Sequence, residues 1–221
     1  MNNSTIVTTD SSTEYSLDLL NAKNIILTPI LLIVIVTTIF GNLLVITSVV
    51  IEKSLRTPSN CLIFSLAITD LIVGLIVMPL RSSVVIFGYW PFEFRCDLPF
   101  EFNIMTSQTS VLHLVAIAID RYIIVSKIQS PSQLLSARSK ARIVVMLAIV
   151  WAIPAFFVSL PFLGWHDKDW KARNKELKCI GNRVLGYRVL GVLITYYIPV
   201  IIIILFYLLI YLVSFQLNIV S

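Results

Sequence analysis

Residues 114–125 read LVAIAIDRYIIV, with Asp120 and Arg121 side by side in an otherwise uncharged run. A charge at the centre of a bilayer costs at least ~2.5–3.5 kcal/mol, so an acid and a base kept in such a run are expected to serve a purpose. They follow 18 uncharged residues, 102–119, and so fall near a helix end where water is close and the two can pair or snorkel. A base held by an adjacent acid acts as a switch, because protonating the acid or offering another partner releases it. Asn42 in IFGNLLV and Asp70 in SLAITDLIVGLIVMP also interrupt apolar runs. A carboxylate there must neutralise or find a cation, and the Ser110 hydroxyl can join it around one. The alternative is a hydrogen-bond network that only fixes helix packing. Catalysis has no support: no nucleophile–base pair, metal cluster or phosphate loop is visible, and His113 and His166 are isolated. His113 reads as a packed core residue.

The elements that must position these groups follow from hydropathy. Hydrophobic residues make up 57% of the 221 and charged ones 13%, with a mean hydropathy of +0.90, far above the composition of soluble domains. Between Lys23 and Glu52 lie 28 uncharged residues, which at ~1.5 Å each reach about 42 Å, more than the ~30 Å hydrocarbon core. Similar runs cover about 57–80, 102–125, 143–165 and 189 to the end. The expected fold is an all-α membrane protein with five transmembrane helices. Residues 1–22 are expected to be an extracellular disordered tail, 23–215 the bundle and 216–221 a C-terminal end. The first apolar segment is too long, and its leading flank too acidic, for a signal peptide. Pro29, Pro79, Pro154, Pro161 and Pro199 fall in or beside the spans, where each removes a donor and can kink its helix.

Orientation rests on the first hairpin. Counting all loops, seven basic residues lie on one side and ten on the other, yet the first hairpin usually dominates insertion. There, Lys53 and Arg56 oppose a tail with three acids and Lys23, which places the N-terminus outside. Cys96 and Cys179 then share the oxidising face, where a disulfide between them is expected, while Cys61 reads as a small buried hydrophobe. Asn2 and Asn3 open overlapping glycosylation sequons in the outer tail. The net charge of +5 puts ten of seventeen basic residues on the outer side, which speaks against nucleic acid, and the basic run at 168–178, diluted by acids, reads as a solvated loop rather than a ligand funnel.

Taken in order, GNLLV with Asn42, SLAITD with Asp70, Trp90 in GYWPF, Cys96, DRY at 120–122, Trp151, Cys179, and Pro199 with Tyr207 resemble the rhodopsin-like (class A) G-protein-coupled receptors over residues 24–211. The resemblance implies a receptor that binds a small ligand from outside and engages a heterotrimeric G protein through Arg121 within Asp120-Arg121-Tyr122, with Tyr207 stabilising the active state. It implies a sodium ion as allosteric modulator at Asp70 and Ser110, a Cys96–Cys179 bridge, and ligand contacts at Asn103, Ile104, Ser107, Gly191, Val192 and Thr195. A dimer with another receptor is a further partner it allows.

GYWPF, VMP and PFLGW look most like biogenic-amine receptors, whereas TSQTSVLHLVAIAIDRYI and LGW also look like adenosine receptors. Seven residues after Cys96, where amine receptors carry an aspartate for the ligand's ammonium, stands Asn103. An amide lacks the charge, and charge-assisted hydrogen bonds are roughly twice as strong as neutral ones. Glu101 does not replace it, because two residues along a helix turn a side chain about 200° away. Only Thr195 offers a hydroxyl where catecholamine receptors have serines on the fifth helix, and Ile128 replaces a customary proline in the inner loop. An amine-like receptor by descent is thus expected, whose ligand is not an ordinary catecholamine, with a nucleoside-like or other neutral ligand as the main competitor. The family has seven helices and this chain five, so the expectation is an incomplete receptor or a truncated, non-signalling isoform that associates with intact receptors.

Overall fold

The computed structural model describes residues 22–87, 89–92, 97–127, 136–169 and 181–220. Helix α1 spans Ala22–Ile51, and a single 3-10 turn, Lys53–Leu55, follows it. Helix α2 spans Asn60–Phe87, α3 Asp97–Lys127 and α4 Ser136–Ser159. Helix α5 is built from Leu185–Val192, a π turn at Leu193–Tyr197 and Ile198–Val220. All five are long and apolar enough to cross a membrane, and no strand occurs among the described residues.

Helix α3 is the hub, packed against α2, α4 and α5, while α1 rests on α2. Large apolar side chains such as Ile33, Phe40, Ile201 and Leu208 face outward and stay exposed, a surface that only lipid solvates. Since lipid removes the hydrophobic drive between helices, association depends on close packing and small residues. Gly74 shows this: a Cβ there would lie 3.0 Å from Ile39 Cγ1 and 3.3 Å from Thr38 Cγ2, so the bare glycine lets α1 and α2 approach. A second packed cluster joins Leu62, Ala116, Ile143 and Val150 across α2, α3 and α4.

Two of the prolines act through π turns. Pro79 and Pro199 cannot donate to the carbonyls four residues back, those of Leu75 and Thr195, and their rings crowd them. Both carbonyls lie inside π turns, Val73–Val77 and Leu193–Tyr197, and in each the amide just past the turn bonds five residues back, Met78 to Val73 and Ile198 to Leu193. One extra residue per turn thus absorbs the clash. Pro29 and Pro154 sit within ordinary α-helix.

Helix ends depart from hydropathy where local chemistry takes over. Helix α2 continues past Leu80 to Phe87, and the guanidinium of Arg81 sits 5.4 Å from the Phe100 ring centroid on α3. Helix α3 begins a turn before Phe102 and carries Glu101 into the bundle, 3% exposed. Helix α4 ends at Ser159 rather than Trp165, because Pro161 opens a turn in which Gly164 takes φ +111° and the Trp165 amide bonds back to the Leu160 carbonyl. Helix α5 runs on to Val220. Cys61, expected to be buried, is exposed, since its neighbour Leu62 takes the inward direction at 0% exposure.

Candidate functional site

At one end of α3 stand Asp120, Arg121 and Tyr122. The Asp120 carboxylate is 2% exposed and accepts from Arg142 Nη2 of α4 at 2.5 Å. Its partner is therefore not the adjacent Arg121, which is exposed. Consecutive helical residues point about 100° apart, so with Asp120 turned to α4 the next side chain leaves that interface. Tyr122 meets Phe206 edge to face, centroids 5.4 Å apart, tying α3 to α5. Tyr207, next along α5, is 55% exposed.

Halfway along the bundle, Ser110 Oγ donates to Asp70 Oδ1 at 2.6 Å, joining α2 to α3. The two residues assigned a shared cation are thus in direct contact. Asn42 instead donates to the Thr38 carbonyl of its own helix at 2.8 Å. Nearby, a hydrogen-bonded chain crosses three helices. Trp151 Nε1 donates to Ser65 Oγ at 3.3 Å, Ser65 Oγ lies 2.9 Å from His113 Nε2, and His113 Nδ1 lies 2.8 Å from the Thr109 carbonyl. A carbonyl only accepts, so Nδ1 carries the proton and Nε2 accepts from the serine hydroxyl. His113 is fully buried and held as a packed core residue.

At the other end of α3 a cavity of about 690 Å³ opens between α3, α4 and α5, lined by Ile104, Gln108, Phe157, Tyr187, Gly191, Val192 and Thr195 among others. Four of the six residues assigned to ligand binding, Ile104, Gly191, Val192 and Thr195, meet there. Asn103 and Ser107 are not part of its lining, because Ile104 and Gln108, four apart, share a face of α3 and each of those two lies one residue, about 100°, away from it. The α4 wall is set by Phe157, which stacks on Tyr187 with centroids 4.6 Å apart. A Cβ on Gly191 would lie 3.2 Å from the Phe157 ring. Beside the cavity, Tyr187 Oη donates to Glu101 Oε2 at 2.8 Å. Gln108 has no solvent exposure, and neither its Nε2 nor its Oε1 has a hydrogen-bond partner among the described residues.

Asn2, Asn3, Cys96 and Cys179 lie outside the described residues. Three residues gain importance that the sequence reading did not give them: Gln108, Arg142 and Ser65. Gln108 is the centre of the polar stretch Thr106-Ser107-Gln108-Thr109-Ser110, which gave no sign of which side chain turns toward α4 and α5; Arg142 read as one loop cation among several. Among the described residues, no group of three or more His, Cys, Asp or Glu is placed to hold a metal.

The 7 transmembrane receptor (rhodopsin family) matches residues 41–218. The 5-hydroxytryptamine receptor of Bombyx mori is 35% identical over 177 residues, 79% of this chain and 39% of that receptor. The 5-hydroxytryptamine receptor 2B of Drosophila melanogaster is 34% identical over 194 residues, 87% of this chain and 31% of that one. The D(1B) dopamine receptor of Xenopus laevis is 34% identical over 196 residues, 86% and 42% respectively. The chain thus spans roughly two fifths or less of the length of these relatives. With the match running from the latter part of α1 through α5, the chain belongs to the rhodopsin-like (class A) family of seven-transmembrane receptors, which are not enzymes, and within it is similar to the biogenic-amine receptors.

Proposed function

We propose that the chain forms the ligand-binding and transducing helices of a plasma-membrane receptor, N-terminus outside, that passes the binding of a small extracellular ligand to a heterotrimeric G protein. The observation that supports this is the placement of a small-molecule-sized cavity at one end of α3 and of exposed Arg121 at the other. Gln108 and Arg121 are 13 residues apart on one helix, about 20 Å at ~1.5 Å per residue. A cavity of 300–1,000 Å³ suits small ligands. Asp70 and Ser110, in contact between the two ends, would hold a sodium ion that favours the resting state.

The relatives are receptors named for 5-hydroxytryptamine and dopamine, which makes an amine-like ligand the first class to test, while Asn103 withholds the charge an ammonium would pair with. The test uses a chimera in which the remaining helices come from the Bombyx mori receptor, assayed for nucleotide exchange on a G protein. Ligand-driven exchange abolished by Arg121→Ala is expected; exchange indifferent to that change would end the proposal. Asn103 lies one residue off the face of α3 that lines this cavity, so the test supposes an ammonium seated against that neighbouring face: Asn103→Asp should then improve the response to serotonin by about 10- to 150-fold, the equivalent of one charged hydrogen bond of ~1.5–3 kcal/mol. A chimera with Asn103 intact that already responds to serotonin as sensitively as the parent would refute the part given to Asn103.

A further inference from the structure

Asp120 is one acid with two bases at hand. It stands beside Arg121 in the sequence, yet its Oδ1 accepts from Arg142 Nη2 of α4. Consecutive helical side chains point about 100° apart, so a carboxylate turned into the α3–α4 seam has turned away from its neighbour. The outcome shows on Arg121, which is exposed and makes no hydrogen bond or ion pair among the described residues.

The contact is built to be exchanged. A bidentate pair would use two parallel N–H bonds, whereas Arg142 and Asp120 meet at one point, and the buried Nε of Arg142 has no partner among the described residues. On its other side Arg142 borders a cavity of about 510 Å³ whose remaining described lining residues are all apolar, so the guanidinium has no second acid there. Lys140, two residues earlier on α4, points about 200° away from Arg142. If α4 withdraws its guanidinium, the carboxylate is left buried without a cation, an unfavourable state. Arg121 is the base placed to relieve it, because its long stem lets the charged head fold back.

We propose that Arg142 is a positioning residue for Arg121. By holding Asp120 from α4 it keeps the acid off Arg121 and leaves that guanidinium free for a partner, so the α3–α4 seam sets how far the chain is poised in the absence of ligand. Closing the seam frees Arg121; opening it returns Asp120 to Arg121. The proposal rests on the receptor reading only for the partner of Arg121, since the exchange of Asp120 between two arginines is a property of the chain itself.

The experiment is limited modification of the chain in lipid nanodiscs by phenylglyoxal, a dicarbonyl that adds to free guanidinium groups, with the rates at Arg121 and Arg142 read by peptide mass spectrometry. Arg121 should react faster than Arg142. Arg142→Met should slow Arg121 by about threefold, the reach of one exposed ion pair, and adding Asp120→Asn should restore it. Unfolding would speed Arg121 instead, so a misfolded variant cannot imitate this result. Asp120→Asn alone is the second measurement: it should speed Arg142 and leave Arg121 unchanged. In the chimera with the Bombyx mori helices, ligand-free nucleotide exchange per folded receptor should follow the reactivity of Arg121, lowered by Arg142→Met, restored in the double variant and unchanged by Asp120→Asn. An Arg121 rate indifferent to Arg142→Met, no recovery in the double variant, or a faster Arg121 in Asp120→Asn would overturn the proposal. Ligand-free exchange that ignores these changes would do the same. The expected labelling together with a chimera that exchanges no nucleotide, with or without ligand, would refute the receptor reading and leave the hold of α4 on Asp120 standing.

Discussion

Removing the guanidinium of Arg142 should destabilise the bundle more than neutralising the acid it holds. Asp120 is the buried partner: its side chain is 3% exposed against 21% for Arg142, with 2.5 Å between them. Arg142→Met leaves the carboxylate in place without its counter-ion. Breaking a fully buried pair in this way costs ~3–5 kcal/mol. Because water reaches part of the guanidinium, the expected loss lies below that range, about 2–3 kcal/mol, or roughly 4–12 °C in melting temperature for a chain of this size. Asp120→Asn removes the charge on the buried side and leaves an arginine that can turn toward water, so it should cost about 1 kcal/mol. The double variant then carries no stranded charge and should recover most of what Arg142→Met loses. The assay is thermal unfolding of the purified chain and its three variants in one detergent at one ionic strength, treated as a double-mutant cycle. Single losses of equal size that simply add in the double variant would refute the claim that α4 holds Asp120.

The chain from Trp151 through Ser65 to His113 makes a second prediction. Ser65→Ala strands the ring nitrogen of a fully buried histidine and the indole N–H, and should lower stability by about 1–3 kcal/mol, read as a lower melting temperature together with changed Trp151 fluorescence. In the connection after α1, the Ser54 amide donates to Glu52 Oε1, and this holds the Glu52 carboxyl below the usual carboxylate range. The associated stabilisation is therefore present above the unfolded-state pKa and lost as pH falls through the folded one. Carboxyl chemical shifts across pH 2–6 check it, and a midpoint at or above ~4.3 would contradict it. Cys96 and Cys179 are expected to be joined, and mass spectrometry of the unreduced, membrane-inserted protein should recover them as one cross-linked peptide pair.

Hydropathy alone located all five spans, because the need to satisfy backbone groups in lipid leaves a helix as the only state for such a run. The motifs GNLLV, SLAITD and DRY likewise carried the family at the level of sequence. Helix ends were less accessible: a reverse turn at Gly164 and an aromatic ring beneath Arg81 outrank mean hydropathy at α4 and α2. What only the tertiary structure decided was the partner of each polar group. Asp120 was paired in expectation with its neighbour, yet Arg142, 22 residues away, holds it. Asn103 and Ser107 were grouped with Ile104, yet the cavity takes Ile104 and Gln108. Both outcomes depend on the rotation of α3 about its axis. That rotation is set by packing against α2, α4 and α5 together, and a side chain changes interface with every step of about 100°, so apolar content measured along a segment carries no information about it.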